Sequence, residues 1–401
     1  MNLRPRDIYL NKLKKLKDEP FIKVISGVRR CGKSSILSLF EEYLKETGVK
    51  PSNILRFNFD HRDLRANVKN SDDLYYLVRN NLKDGRNYVL LDEVQIVPEW
   101  EDALISMYAE MDADIYVTGS NTVMLSPELG TKLVGRFIEI EVLPLSFKEW
   151  LDFDDGPHDN LQSSFDEYLR YGGFPAVALM KGPELKQTAL DGIYRTILDL
   201  DVVSKNKIGD SALLKITAEY VIDNIGRISS PKKIADYLTS SGRNTAHGTI
   251  DNYLLAMERA FLIYRVKRYD VGGKILLKSL EKSYMVDLGL RGLLLSSWKA
   301  NYGSILENIV YLELRRRGYS VTTGINGKTE VDFVATKGKE RIYVQVTASM
   351  DDDEDTRVRE LRPLKTLQDG YPKIVISGDR NIIDDYDGIR NLNIIDWLLS
   401  G

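Results

Sequence analysis

The sequence predicts a mixed α/β chain: a parallel sheet core, a helical region after it, and a second, smaller α/β domain at the end. Three observations carry this. Apolar runs at 21–26, 54–59, 88–92, 114–118 and 137–143 alternate with segments of helical spacing. Gly27 to Ser34 fits glycine, four residues, then Gly-Lys-Ser, and lies between an apolar run and a helix. From Leu213 onward, three helical patterns precede two strand-like runs, and a further helix and strand pair follow.

The first core, residues 1–160, begins with the run Phe21, Ile22, Val24, Ile25 and passes through the glycine loop into a helix carrying Ile36, Leu37, Phe40, Tyr43 and Leu44. In such a loop, successive backbone N–H groups and the helix N-terminus cradle phosphates, and Gly27 and Gly32 permit the close approach. The candidate cofactor contacts are Gly27, Arg29, Arg30, Cys31, Gly32, Lys33, Ser34 and Ser35, with Lys33 meeting the β and γ phosphates. Cys31, near a helix N-terminus, is expected to have a lowered thiol pKa and to be alkylatable unless nucleotide protects it. The helix at about 72–83 is expected to take Ser71 as N-cap, with Asp72 and Asp73 in its first turn.

The strand Tyr88 to Glu93 ends in two carboxylates. Ligands of parallel sheets sit at the carboxyl ends of strands, so Asp92 is read as a magnesium ligand through water, together with Ser34. Glu93 is read as the group that polarises the attacking water. Thr118-Gly119-Ser120-Asn121 ends the next strand, where Asn121 or Ser120 can sense the γ-phosphate. Arg136, before the strand Phe137 to Val142, is a candidate finger reaching the site of a neighbouring copy.

These stretches, Gly-Val-Arg-Arg-Cys-Gly-Lys-Ser, Leu-Leu-Asp-Glu-Val-Gln followed by Pro-Glu-Trp, Thr-Gly-Ser-Asn, Val-Gly-Arg and Leu-Pro-Leu-Ser-Phe, resemble the prokaryotic AAA-type P-loop ATPases that carry a C-terminal domain of unknown function. The resemblance implies an AAA-like fold, ATP with Mg2+, and roles by position for Lys33, Ser34, Asp92, Glu93, Asn121 and Arg136. It names no client.

The polar stretch Asp152 to Ser164, with Gly156-Pro157, reads as the linker into residues 161–300. Tyr168 to Pro175 also resembles the family's pattern and reads as turns and packing. A helical segment at 184–201 reads as part of a lid. Three helices and a hairpin about Val271-Gly272-Gly273 then give the layout of a winged helix-turn-helix. Between Gly226 and Lys282 there are 11 lysines and arginines against 5 acidic residues, a local +6 in a chain of net charge −3. Arg243, Asn244, Thr245 and His247 are candidates for a nucleic-acid groove, with Lys267, Arg268 and Lys274 on phosphates. A protein-contact or lid module with solvated basic residues is the competing reading.

In residues 301–401, a helix from Ser304 to Arg317 precedes strands at Val331 to Ala335 and Ile342 to Val346. Glu307, Asp332 and Gln345-Val346-Thr347 resemble the spacing of the restriction-endonuclease-like fold. The lysine of that pattern is replaced by Thr347, which supplies no ammonium charge, so the expectation is a degenerate site that does not cut. The acidic run Asp351 to Asp355 reads as a solvated loop.

The single cysteine excludes an internal disulfide, and three histidines argue against a histidine metal cluster. No signal-like apolar core and no run of 18 apolar residues occurs, so the reading is a cytoplasmic protein. The function expected is an ATPase coupling nucleotide state to a DNA or protein partner, with homo-oligomers through Arg136. The alternatives are an ATP-locked switch with negligible turnover and an ATP-regulated, metal-dependent nuclease.

Overall fold

In the computed structural model, residues 3–120, 133, 135–156, 158–295, 297, 299–350, 354–380 and 383–400 are described, and the structural statements below concern them. The chain forms two compact units. One is Met1–Val142 with Arg259–Phe261, and the other is Leu143–Glu258 with Leu262–Gly401.

In the first unit, helix α1 (Asp7–Leu16) leads into β1 (Ile22–Ser26) and α2 (Lys33–Glu46). There follow β2 (Ile54–Asn58), α3 (Arg62–Asn67), α4 (Ser71–Asn81), β3 (Asn87–Asp92), α5 (Trp100–Glu110), β4 (Ala113–Thr118) and β5 (Phe137–Glu141). The strands run parallel in the order β2-β3-β4-β1-β5. Every residue of β1 and β3 is buried, as strands covered on both faces must be. Val24, Val89, Leu91 and Val117 pack with Leu74, Val78, Leu104 and Met107 into one apolar core. The cap of α4 differs from the sequence expectation: Asn70 holds the N-cap, accepting from the Asp73 backbone, and Ser71 is the first helical residue. Asn is at least as good a cap as Ser, so the helix starts one residue earlier.

Register fixes what meets at the carboxyl end of this sheet. Ile25 pairs with Thr118, and Leu91 with Val117. Asp92, Thr118 and the start of the glycine loop therefore stand level. Gly27 has φ +138°, and a Cβ there would lie 2.2 Å from the Val142 carbonyl oxygen, so no other residue fits this turn.

The second unit opens with helices Phe147–Phe153 and Leu161–Tyr171, leaving residues 154–160 as the connection; Pro157 lies outside the described residues. Helix Pro183–Thr196 continues as a π-helix through Ile197–Ser204. Helices Ser211–Asp223, Pro231–Ser240 and His247–Arg259 then precede a hairpin of β6 (Ile263–Asp270) and β7 (Ile275–Met285). Ser230 caps the Pro231 helix, its side chain accepting from the Lys233 N–H. The second strand runs to Met285, where Ser283, Tyr284 and Met285 continue the pairing with β6.

That hairpin is the edge of an eight-stranded sheet, ordered β12-β13-β11-β10-β9-β8-β6-β7. Its other strands are β8 (Ser320–Asn326), β9 (Thr329–Lys337), β10 (Glu340–Thr347), β11 (Lys373–Ser377), β12 (Asp385–Tyr386) and β13 (Ile389–Asn393). Strands β9 and β10 form the antiparallel pair the sequence suggests. The helix Tyr302–Arg316 buries Ile305 through Leu314 on all sides, polar residues included.

The Tyr-Gly-Gly-Phe-Pro stretch has a structural reason in this unit. The Gly173 N–H donates to Asp287 Oδ2 at 2.6 Å and the Gly289 N–H to Oδ1 at 2.8 Å. A Cβ on Gly172 would lie 1.8 Å from Asp287 Oδ1, so the glycine pair wraps a buried carboxylate. Burial pushes the Asp287 carboxyl up to about 7 against the pull of those N–H groups. Among the described residues, no helix is long and apolar enough to cross a membrane.

Candidate nucleotide site

The site is built where β1, β3 and β4 end. The loop leaves β1 at Ser26, turns on Gly27, and enters α2 through Gly32, whose φ of +103° caps the helix. Lys33 opens α2 and is buried; its Nζ donates to the Gly27 and Val28 carbonyls at 3.0 and 3.1 Å. Glu93 Oε1 lies 4.0 Å from the same ammonium. Ser34 is half-buried, while Arg30 and Ser35 are exposed on the loop and the first helical turn.

Asp92 is fully buried. Its Oδ1 accepts from Ser34 Oγ at 3.0 Å and from Thr118 Oγ1 at 2.6 Å. Its Oδ2 is buried and accepts no hydrogen bond, with Arg56 Nη2 standing 3.7 Å away. Glu93 follows in the left-handed region at φ +56°, a conformation that costs a non-glycine residue of order 1–3 kcal/mol. The strain is held by Thr118, whose Oγ1 accepts the Glu93 N–H at 2.9 Å, and by Gln95, whose amide donates to Glu93 Oε2.

The structure thus brings Gly27, Gly32, Lys33, Ser34, Asp92 and Glu93 together. Asn121 lies outside the described residues. Arg136 is exposed and immediately precedes β5, where its carbonyl accepts from the Ile22 N–H at 2.8 Å. Ile22 is the first residue of β1 and Ser26 the last, so Arg136 stands about five strand residues, or ~16 Å, from its own phosphate loop. It sits at the opposite end of the sheet from the site it would have to serve within the same chain.

The expectation for Cys31 is corrected. Its side chain is wholly buried, and burial pushes the thiol up, outweighing the charges of Lys33 and Arg6 that pull the other way. It packs inside the loop as an inert residue.

Sequence reasoning missed Thr118, Arg56 and Arg6. Thr118 was quoted only as a strand end, and its role depends on parallel register. Arg6 precedes α1, is buried, and donates from Nη1 to the Cys31 carbonyl at 2.9 Å, fixing the loop from behind. No local motif marks either arginine.

In the second unit, Arg243, His247, Lys267 and Lys274 are exposed, and Arg268 is half-buried with its Nε–H enclosed and donating to no partner. Two of the local basic residues face inward instead: Arg265 pairs with Glu281 and Asp251, and Lys282 lies among carboxylates. Glu307, Asp332 and Gln345 do come together, and Asp332 Oδ2 accepts from the Val346 N–H at 2.9 Å. Thr347 Oγ1 turns away, donating to the Ser349 carbonyl. In the acidic run, Asp351 to Asp353 lie outside the described residues.

Residues 19–151 match the family model described as AAA domain, and residues 162–300 match one described as a domain of unknown function. Over 399 residues the chain is 39% identical to an uncharacterized protein of Haemophilus influenzae, covering 98% of each. The chain belongs to that AAA-domain family. This AAA-domain protein is also 29% identical over 395 residues to an uncharacterized protein of Methanocaldococcus jannaschii, covering 90% of this chain and 86% of the relative. Among solved structures, it is similar to the Walker-type ATPase of Pyrococcus abyssi, with TM-score 0.45 and 16% identity over 73% of this chain and 99% of that one. It is also similar to AMPPCP-bound DnaA from Aquifex aeolicus, with TM-score 0.31 and 15% identity over 63% and 86%. The AAA domain relates this protein to the P-loop ATPases.

Removing the rear support of the loop tests this geometry. Arg6→Ala leaves the Cys31 carbonyl without that donor, and fluorescent-nucleotide titration is expected to show affinity lowered by roughly tenfold while far-UV circular dichroism is unchanged. Undiminished affinity would show that the loop holds its shape without Arg6.

Proposed function

We propose that this protein is a magnesium-dependent ATPase whose nucleotide state controls a DNA or protein partner bound by its second unit. The observation that carries the reading is Asp92: one carboxylate oxygen is taken by Ser34 and Thr118, and the other is buried without a hydrogen-bond donor beside the phosphate loop. A buried carboxylate oxygen left this way calls for a cation, so the residues fit Mg2+. Asp92, through water, and Ser34 would hold it. Bound there, Mg2+ supplies charge that offsets the developing negative charge on the phosphates.

The chain's own groups do the rest. The loop N–H groups and the α2 N-terminus bind the phosphates. Lys33, engaged by the Gly27 and Val28 carbonyls, has an ammonium available to the terminal phosphates by rotation of its side chain. Glu93, held by Thr118 and Gln95, orients the attacking water and accepts its proton. Asn121 remains our candidate for sensing the γ-phosphate. Arg136, placed at the far end of β5 from its own loop, serves the site of a second copy. Partner binding rests on the exposed Arg243, His247, Lys267 and Lys274, with Arg268 beside them.

Phosphate release under saturating ATP and Mg2+ tests the reaction. Glu93→Gln is expected to keep nucleotide binding and lose turnover by ~100-fold or more, whereas Lys33→Ala loses binding itself. Equal turnover in wild type and Glu93→Gln would refute the assignment and favour a binding switch. For Arg136, mixing inactive Arg136→Ala with inactive Lys33→Ala is expected to restore activity, because mixed interfaces pair an intact site with an intact arginine. Failure of every mixture to regain turnover counts against a role in trans. A duplex-DNA gel shift should weaken as salt rises and be lost on charge reversal at Arg243 and Lys267. A shift that survives both changes removes Arg243 and Lys267 from the interface, and the absence of any shift leaves a protein partner as the reading.

A further inference from the structure

The nuclease-like cluster of the second unit lacks a lysine at Thr347, yet it contains one. Lys282, on the hairpin strand β7, places its Nζ 2.6 Å from Glu307 Oε1, 2.8 Å from Glu330 Oε1 and 3.3 Å from Asp332 Oδ1. An ammonium has three N–H donors, and each of these oxygens can take one. Lys282 is buried, as are Glu307 and Asp332, so the contacts are made out of water.

Two further features close the cluster around this ammonium. The Gly226 turn lies over it: a Cβ on Gly226 would come within 2.9 Å of Glu307 Oε2, and the Gly226 N–H donates to the Ser283 carbonyl at 3.0 Å. Tyr284, stacked on Tyr311, donates its hydroxyl to Glu307 Oε1. The separations are those of ammonium hydrogen bonds to carboxylate oxygens.

We propose that the Lys282 ammonium is the resident cation of this carboxylate cluster, so that the cluster locks the hairpin onto the sheet and admits a divalent ion only when that side chain is removed. The lock has a place in the fold. Among the described residues, backbone pairing between the hairpin and β8 covers Arg268 to Asp270, and at the other end of the hairpin β7 is held to the helix Tyr302–Arg316 by the ion cluster together with the paired hydrogen bonds of the Met285 backbone to the Asn308 side chain. Burial opposes the lysine's charge, but Glu307, Asp332 and Glu330 together outweigh it and hold Lys282 above the ordinary lysine range. Burial, with the charge of Asp332, raises Glu307, while Lys282 and the Tyr284 hydroxyl pull it down. Without Lys282 the buried Glu307 and Asp332 would lose the ammonium that faces them, a strongly unfavourable burial.

The test is Mn2+ titration of nucleotide-free protein, together with thermal melting in chelator and in Mn2+. Wild type and Asp332→Asn are expected to titrate alike. Lys282→Met should melt lower in chelator by more than about 5 °C, recover in Mn2+, and bind one more Mn2+ than wild type; Lys282→Met/Asp332→Asn should lose that extra ion. A Lys282→Met chain that folds only with Mn2+ supports the proposal equally. It is overturned if Asp332→Asn removes a Mn2+ site from the wild-type background, or if Lys282→Met melts like wild type and gains no ion. The comparison of wild type with Asp332→Asn stands even where Lys282→Met fails to fold.

Discussion

Parallel register at the end of β3 is the constraint on which the nucleotide site depends. With Leu91 opposite Val117 and Ile25 opposite Thr118, the Asp92 carboxylate has one place to go, between the Ser34 and Thr118 hydroxyls. A slip of one residue would turn every side chain of β3 to the other face and move this carboxylate away from the loop. The apolar runs of β1, β3 and β4 therefore do two things: they bury the sheet on both faces, and they fix the chemistry at its edge.

The same logic explains why the loop is held from both sides. Gly27 is forced by the Val142 carbonyl in front, and Arg6 holds the Cys31 carbonyl from behind. Between these supports the backbone N–H groups keep one arrangement, which preorganises them for anionic oxygen. The left-handed backbone at Glu93 is strain of the kind a site tolerates when neighbours fix it, here Thr118 and Gln95.

What the sequence disclosed follows from the range of each interaction. Lys33, Ser34, Asp92 and Glu93 stand in contiguous motifs whose flanks show the strand and helix directly, so both the elements and their meeting point were legible. Thr118, Arg56 and Arg6 were not, because their partners lie 26, 36 and 25 positions away and depend on packing that no local pattern encodes. Cys31 was misread for a related reason: closeness to a helix N-terminus is visible in sequence, but complete burial is not, and burial dominates. The winged-helix pattern gave the three helices and the hairpin, while the joining of that hairpin to a sheet extending to β13 rests on three residue pairs between β6 and β8.

Both units contain carboxylates gathered at strand positions, and they differ in who supplies the cation. In the first, the surrounding lysine and arginine stop short of Asp92 Oδ2: Lys33 is turned to its own loop carbonyls, and Arg56 is 3.7 Å away and also engaged by Glu41 and Ser38. In the second, Lys282 reaches three carboxylates at once. A carboxylate site stays open to an external ion only where the chain withholds its own ammonium, and closes where the chain provides one. Thr347 donates its hydroxyl to the Ser349 carbonyl, and the ammonium at this cluster comes from Lys282 on β7.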